Sequence, residues 1–150
     1  MTIYYEKGEQ TYIKLVNYVG KDKLEEYGKS LGALHPMEGK DLFGLINCDD
    51  MSVYWKKIRD FILYSKYGSE FKDWLSNPSF SIVEKESINN KNSVTKYGSW
   101  DIAYHECGYV EDDNPYYLII LTQKFKCDDK EDFVNETAER LTRIHKLINK

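Results

Sequence analysis

The fold turns on residues Val94 to Gln123, VTKYGSWDIAYHECGYVEDDNPYYLIILTQ. Ile102 to Val110 is dense in aromatic and β-branched residues, which suit a pleated, half-buried surface. Glu111-Asp112-Asp113-Asn114-Pro115 is turn chemistry: Asp and Asn close a turn on their own backbone, and Pro fixes φ on the way out. Tyr116 to Thr122 is an apolar run of strand length, too short for a core helix. Val94 to Gly98 supplies a further short strand ahead of this hairpin, with a bend expected at Gly98-Ser99. The stretch therefore predicts an antiparallel three-stranded meander with Lys96 on its first strand.

Upstream, the period changes from two to 3.6. Tyr12, Leu15, Val16 and Val19 mark one face of a short helix stopped by Gly20. Lys21 to Leu31 predicts a second helix, with Leu24, Tyr27 and Leu31 inward and Gly32 as its stop. Ala33 to Leu45 has no period and reads as a loop. Asn47-Cys48-Asp49-Asp50 caps a third helix, because an Asx side chain accepts orphan N–H groups and acids suit the helix dipole. Its stripe is Met51, Tyr54, Trp55, Ile58, Phe61 and Ile62, with Gly68 as its expected end. Ser69 to Leu75 predicts a short helix burying Phe71, Trp74 and Leu75, stopped by Asn77-Pro78. A weak strand is expected over Phe80–Val83 and a surface loop over Asn89–Asn92. Asp128-Asp129 caps a final helix whose apolar face is Phe133, Val134, Ala138, Leu141, Ile144 and Ile148. A helical group over Thr11–Leu75, then strands, then a helix is an α+β order, expected as one domain over residues 1–150.

The 150 residues suffice for one real core, and 41% hydrophobic content with 13 tyrosines argues against disorder. A formal charge of -4 without a basic patch argues against nucleic acid as a partner. No apolar run reaches membrane-spanning length, and the first residues show no signal pattern, so the expectation is a cytoplasmic chain. An extracytoplasmic location is the expectation if a further N-terminal segment precedes it. Cys48, Cys107 and Cys127 are far apart, without metal-ligand spacing or a disulfide framework, and are expected as buried thiols. No metal or cofactor is expected.

The same meander carries a resemblance. Lys96-Tyr97-Gly98-Ser99-Trp100, then His105-Glu106-Cys107-Gly108-Tyr109-Val110, then Pro115 to Thr122, resembles the C-terminal part of class A β-lactamases and related penicillin-recognising serine hydrolases. That family has a Lys-Thr-Gly strand, a Gly-bearing second strand and an apolar third strand ending in Thr. Leu15 to Gly20 with Leu31-Gly32-Ala33, then Asp49-Asp50-Met51, then Phe71 to Leu75, resemble the family's preceding helices. The resemblance spans nearly all of this chain and about the last three-fifths of a family member. It implies a β-lactamase/transpeptidase-like fold lacking the N-terminal strands and the helix that bears the Ser-x-x-Lys nucleophile. A serine hydroxyl needs that lysine, because it is a weak nucleophile at its free pKa.

The motifs that remain are altered. Lys7 to Thr11 stands where the family's Ser-x-Asn loop falls, without its Ser or Asn in register. Glu38 is the only tempting carboxylate in the shortened loop, His35 to Asp41, where the family holds its deacylating Glu, and reads as a solvated acid. Two Ser-x-x-Lys strings, Ser69 to Lys72 and Ser93 to Lys96, occur in the wrong elements. Tyr97 replaces the small hydroxyl that sits beside the family's lysine and helps bind the substrate carboxylate. The candidate ligand-pocket residues by resemblance are Lys96, Tyr97, Gly98 and Ser99, the last through a backbone oxyanion donor. Tyr97 is expected to pack on, or partly fill, the cleft between helices and sheet. His105 has no readable Ser or Asp partner, and Glu106 falls on the opposite face. No catalytic residue is assigned.

The expected function is a catalytically inert, truncated or degenerate relative of a serine hydrolase that retains a binding role. Two other readings stay open. One is the C-terminal part of an active hydrolase whose nucleophile lies upstream or on another chain; the other is an unrelated small α+β interaction domain. The family's first two strands pair beside its last strand. Here that strand is Tyr116–Thr122, an apolar edge without Pro or Lys until Lys124, so a homodimer through it is expected.

Overall fold

The computed structural model describes residues 2–35, 46–76, 93–100, 103–123 and 130–149, with side chains described from Gln10 onward except at Trp100 and Lys130. Its class is α+β, with five helices and one antiparallel sheet. The chain divides into two compact units, Met1–Tyr54 and Trp55–Lys150.

In the first unit, α1 runs over Thr2–Val19 and α2 over Lys21–Leu31. α1 is longer than its apolar stripe indicates. Only Val16 of that stripe is buried, whereas Tyr12 and Leu15 are exposed. Tyr27 of α2 is exposed as well, against expectation. Gly32 ends α2 in the left-handed conformation, φ 94°, and its N–H and that of Ala33 cap the carbonyls of Lys29 and Gly28. Helix α3, Cys48–Tyr64, begins in this unit. Asn47 Oδ1 accepts the Asp50 N–H at 2.8 Å, the expected cap. Asp50 itself is buried and accepts the backbone N–H groups of Leu34 and His35, at 2.6 and 3.3 Å. A carboxylate thus fastens the chain after α2 to the first turn of α3.

The second unit holds the rest of α3, helix α4 (Gly68–Ser76), strands β1 (Val94–Trp100), β2 (Ala103–Val110) and β3 (Tyr116–Leu121), and helix α5 (Lys130–Ile148). Gly68 opens α4 rather than closing α3. A Cβ there falls 2.0 Å from the Ile62 carbonyl oxygen, so the turn between the helices fits only glycine. The edge-on contact of Phe61 and Phe71, 5.4 Å between centroids, joins α3 to α4. Trp74 is exposed, not buried as its spacing predicts.

The sheet has the order β1-β2-β3, antiparallel throughout. β1 runs straight through Gly98-Ser99, so the expected bend there is absent; Gly98 pairs with His105 and Ser99 with Tyr104. The register fixes two faces. Tyr97, Tyr104, Glu106, Val110, Tyr116, Leu118 and Ile120 lie on one of them. There, Val110, Leu118 and Ile120 pack with Val134 and Ala138 of α5, flanked by Tyr97, Tyr104 and Tyr116. Tyr116 also reaches α5 through its hydroxyl, 2.9 Å from Thr142 Oγ1, and stacks on His145.

α5 is turned relative to its predicted face. Val134, Ala138 and Thr142, at successive i+4 steps, point inward, while Phe133, Leu141, Ile144 and Ile148 stay exposed. The opposite sheet face carries Val94, Cys107 and Tyr109, all buried. Cys48, expected as buried, is exposed. The expectations for Glu38, Phe80–Val83, Asn89–Asn92, Cys127 and the Asp128-Asp129 cap fall outside the described residues.

Candidate functional site

β1 separates the four residues singled out by resemblance. Lys96 and Gly98 share the face opposite α5, and Tyr97 and Ser99 share the α5 face. Tyr97 is half-buried against the core under α5, with Glu106 directly across from it on β2. Ser99 is exposed on the same side. Gly98 looks onto open space: a Cβ added there meets nothing within 4 Å.

Lys96 is exposed as a residue, but its ammonium folds back to donate to the Tyr97 carbonyl. Desolvation against the strand lowers its pKa, against the opposing pull of the Glu106 charge.

His105 lies beside them, across from Gly98 and next to Lys96's partner Cys107. Its Nδ1 accepts the Thr122 N–H at 3.0 Å, which leaves the proton of the neutral ring on Nε2. Thr122 is held in turn by Tyr104: its hydroxyl donates to the Tyr104 carbonyl at 2.7 Å and accepts the Tyr104 N–H at 2.9 Å. Burial pushes the His105 pKa below 6.5, against a backbone hydrogen bond at Tyr104 that raises it. The folded state therefore favours the neutral ring. The stability this adds is complete above an unfolded pKa of about 6.5 and is lost as pH falls toward the lower folded value. The His105 side-chain resonances should titrate with a midpoint below 6.5 by NMR, and a midpoint above it contradicts the arrangement.

Neither Ser-x-x-Lys string forms a nucleophile pair. Ser69 and Lys72 are one turn apart on α4, but Lys72 Nζ lies 3.4 Å from Glu111 Oε2. Ser93 is buried, and two residues of extended chain separate it from Lys96.

Two features were missed in the sequence. Glu106 is fully buried on the α5 face. Arg59 of α3 lies over the Tyr109 ring, 6.0 Å from its centroid, and its guanidinium is 3.9 Å from Glu111. In sequence, Arg59 is one polar residue beside an apolar helical stripe, and Tyr109 is one of several strand aromatics. Among the described residues no group of three or more His, Cys, Asp or Glu is placed to hold a metal, and no helix is long and apolar enough to cross a membrane. No protein-family model matches this sequence, and no curated protein matches it.

Proposed function

We propose that this chain is a catalytically inert relative of the penicillin-recognising serine hydrolases that keeps a carboxylate-binding face at Lys96 and Gly98. The observation that carries this reading is the turn of Tyr97 into the α5 core. In the resemblance, that position belongs to a small hydroxyl that shares the substrate carboxylate with the lysine. Here the phenol is committed to packing, and Lys96 lies on the other face beside Gly98, which borders open space, with His105 as its neighbour. The sequestered Lys72 and buried Ser93 support the inert half of the reading, because a hydrolase site loses most of its rate when one member is missing. The test is incubation with a chromogenic β-lactam and with a fluorescent penicillin. No turnover and no labelled serine are expected; either one overturns the proposal.

The same reading includes self-association through β3. Among the described residues, no strand pairs with its outer edge. Its sequence Tyr-Tyr-Leu-Ile-Ile-Leu is uncharged, and such an edge templates pairing with a second copy. The exposed Phe133, Leu141, Ile144 and Ile148 of α5 add apolar surface in the same unit. An antiparallel two-fold pairing joins two sheets into one. Sedimentation at micromolar concentration should show a dimer, and Ile119→Lys should weaken its association about tenfold or more. A monomeric wild type contradicts the pairing.

A further inference from the structure

Where β3 leaves β2, side chains close the sheet. Leu121 and His105 form the final pair of the ladder. One residue on, the Thr122 hydroxyl stands in for a backbone group. It accepts the Tyr104 N–H at 2.9 Å and donates to the Tyr104 carbonyl at 2.7 Å. The Thr122 N–H donates to His105 Nδ1 at 3.0 Å. Three hydrogen bonds thus fasten Thr122 to β2, and one of them depends on the protonation of a ring. An amide N–H can only donate, so this contact needs a lone pair on Nδ1. A second proton on the imidazole occupies that lone pair and sets a donor against a donor.

The charged ring has another partner at hand. Burial disfavours the charged form of His105, and a backbone hydrogen bond at Tyr104 favours it. A group that favours the charged ring is an acceptor, so at Tyr104 it is the carbonyl, the same one that the Thr122 hydroxyl holds. Protonated Nδ1 therefore loses the Thr122 N–H and competes with Thr122 for its second attachment. The ionisable groups on this sheet face are Lys96 of β1, Cys107 and Tyr109 of β2 and Tyr117 of β3. Helix α4, packed on β1, brings Glu70, Lys72 and Asp73, with Lys72 placed at Glu111. Helix α3 brings Arg59, which lies over Tyr109. Helix α5 covers the opposite face of the sheet.

We propose that His105 is an acid-released clasp: its protonation detaches the Thr122 N–H and frees the end of β3 from β2, while the rest of the β2–β3 ladder stays paired. Burial holds the His105 midpoint below 6.5, so the clasp is closed at neutral pH and opens as pH falls through that midpoint. The clasp is made within the sheet and does not depend on the function proposed above.

The experiment is amide hydrogen exchange of the full chain by NMR, at steps between about pH 7.5 and about pH 4.5, which bracket the ordinary histidine range. Each rate is divided into its intrinsic value at that pH, so that protection alone is compared. Protection at Thr122, and with it at Tyr104, should fall about tenfold or more along the titration curve of the His105 side chain. Protection at Ile120, deeper in the ladder, should hold. His105→Asn keeps an acceptor oxygen near the place of Nδ1 and does not titrate, so Thr122 protection should be independent of pH. His105→Phe keeps a ring suited to a strand and offers no acceptor, so Thr122 should be weakly protected at every pH. Thr122 protection that stays level across the His105 midpoint overturns the proposal. So does a fall shared equally by Ile120, or a pH-dependent fall that persists in either variant.

Discussion

Gly108→Ala is expected to cost about 3 kcal/mol, enough to shift the urea midpoint sharply or to prevent folding. Gly108 pairs with Thr95 in the centre of the meander. A Cβ built on it falls 2.1 Å from the Val94 carbonyl oxygen, 2.8 Å from Thr95 Cα and 2.9 Å from Thr95 Cγ2. Two of those atoms are backbone, and Val94 is fully buried, so neither can swing aside as a surface side chain does. The methyl group must push β1 off β2, and β2 is the strand through which β1 and β3 are joined. Gly98→Ala is the internal control. Its Cβ meets nothing, so it should lie within about 1 kcal/mol of wild type and gain from the stiffer unfolded chain. Equal midpoints for the two variants contradict the strand geometry.

Asp50→Ala is the second large effect, expected at about 3 kcal/mol. The carboxylate is buried and accepts two backbone N–H groups from residues fifteen and sixteen positions earlier. Removing it deletes two hydrogen bonds to a charged acceptor, a kind worth about 1.5–3 kcal/mol each. Asn47 ties into the same knot: its Oδ1 takes the Asp50 N–H and its Nδ2 donates to His35 Nδ1 at 3.1 Å. Asp50→Asn keeps one acceptor and turns an NH₂ toward the other amide, so it should lose less. Urea midpoints measure the loss, and hydrogen exchange at Leu34 and His35 should quicken in Asp50→Ala. A variant within about 0.5 kcal/mol of wild type contradicts the role.

The meander was legible because strand chemistry is local. Aromatic and β-branched residues are dense over Ile102 to Val110, and Asp-Asp-Asn-Pro leaves only a turn before Tyr116. Caps were legible for the same reason, as at Asn47 and Gly32. The bend expected at Gly98-Ser99 failed because glycine permits a bend without requiring one, and cross-strand pairing held the segment extended. Trp74 and Phe133 follow helical spacing yet are exposed, since periodicity names an apolar stripe and not the partner that covers it. Asp50 was readable as a first-turn acid; its grip on Leu34 and His35 was not, because it depends on where a loop returns. Strand alternation places Lys96 and Gly98 on the face opposite Tyr97, and the register agrees. Arg59 and Tyr109, fifty residues apart, left no spacing signal at all.

The most direct test of the Lys96 face is a titration with benzylpenicillin, a carboxylate ligand of the resembled family, followed by amide NMR over hours. The expected result is a reversible shift of the Lys96, Gly98 and His105 amides, absent in Lys96→Ala, with every peak returning after dialysis. No shift at those amides, or a new set of peaks that survives dialysis and marks an acylated serine, contradicts an inert carboxylate-binding face.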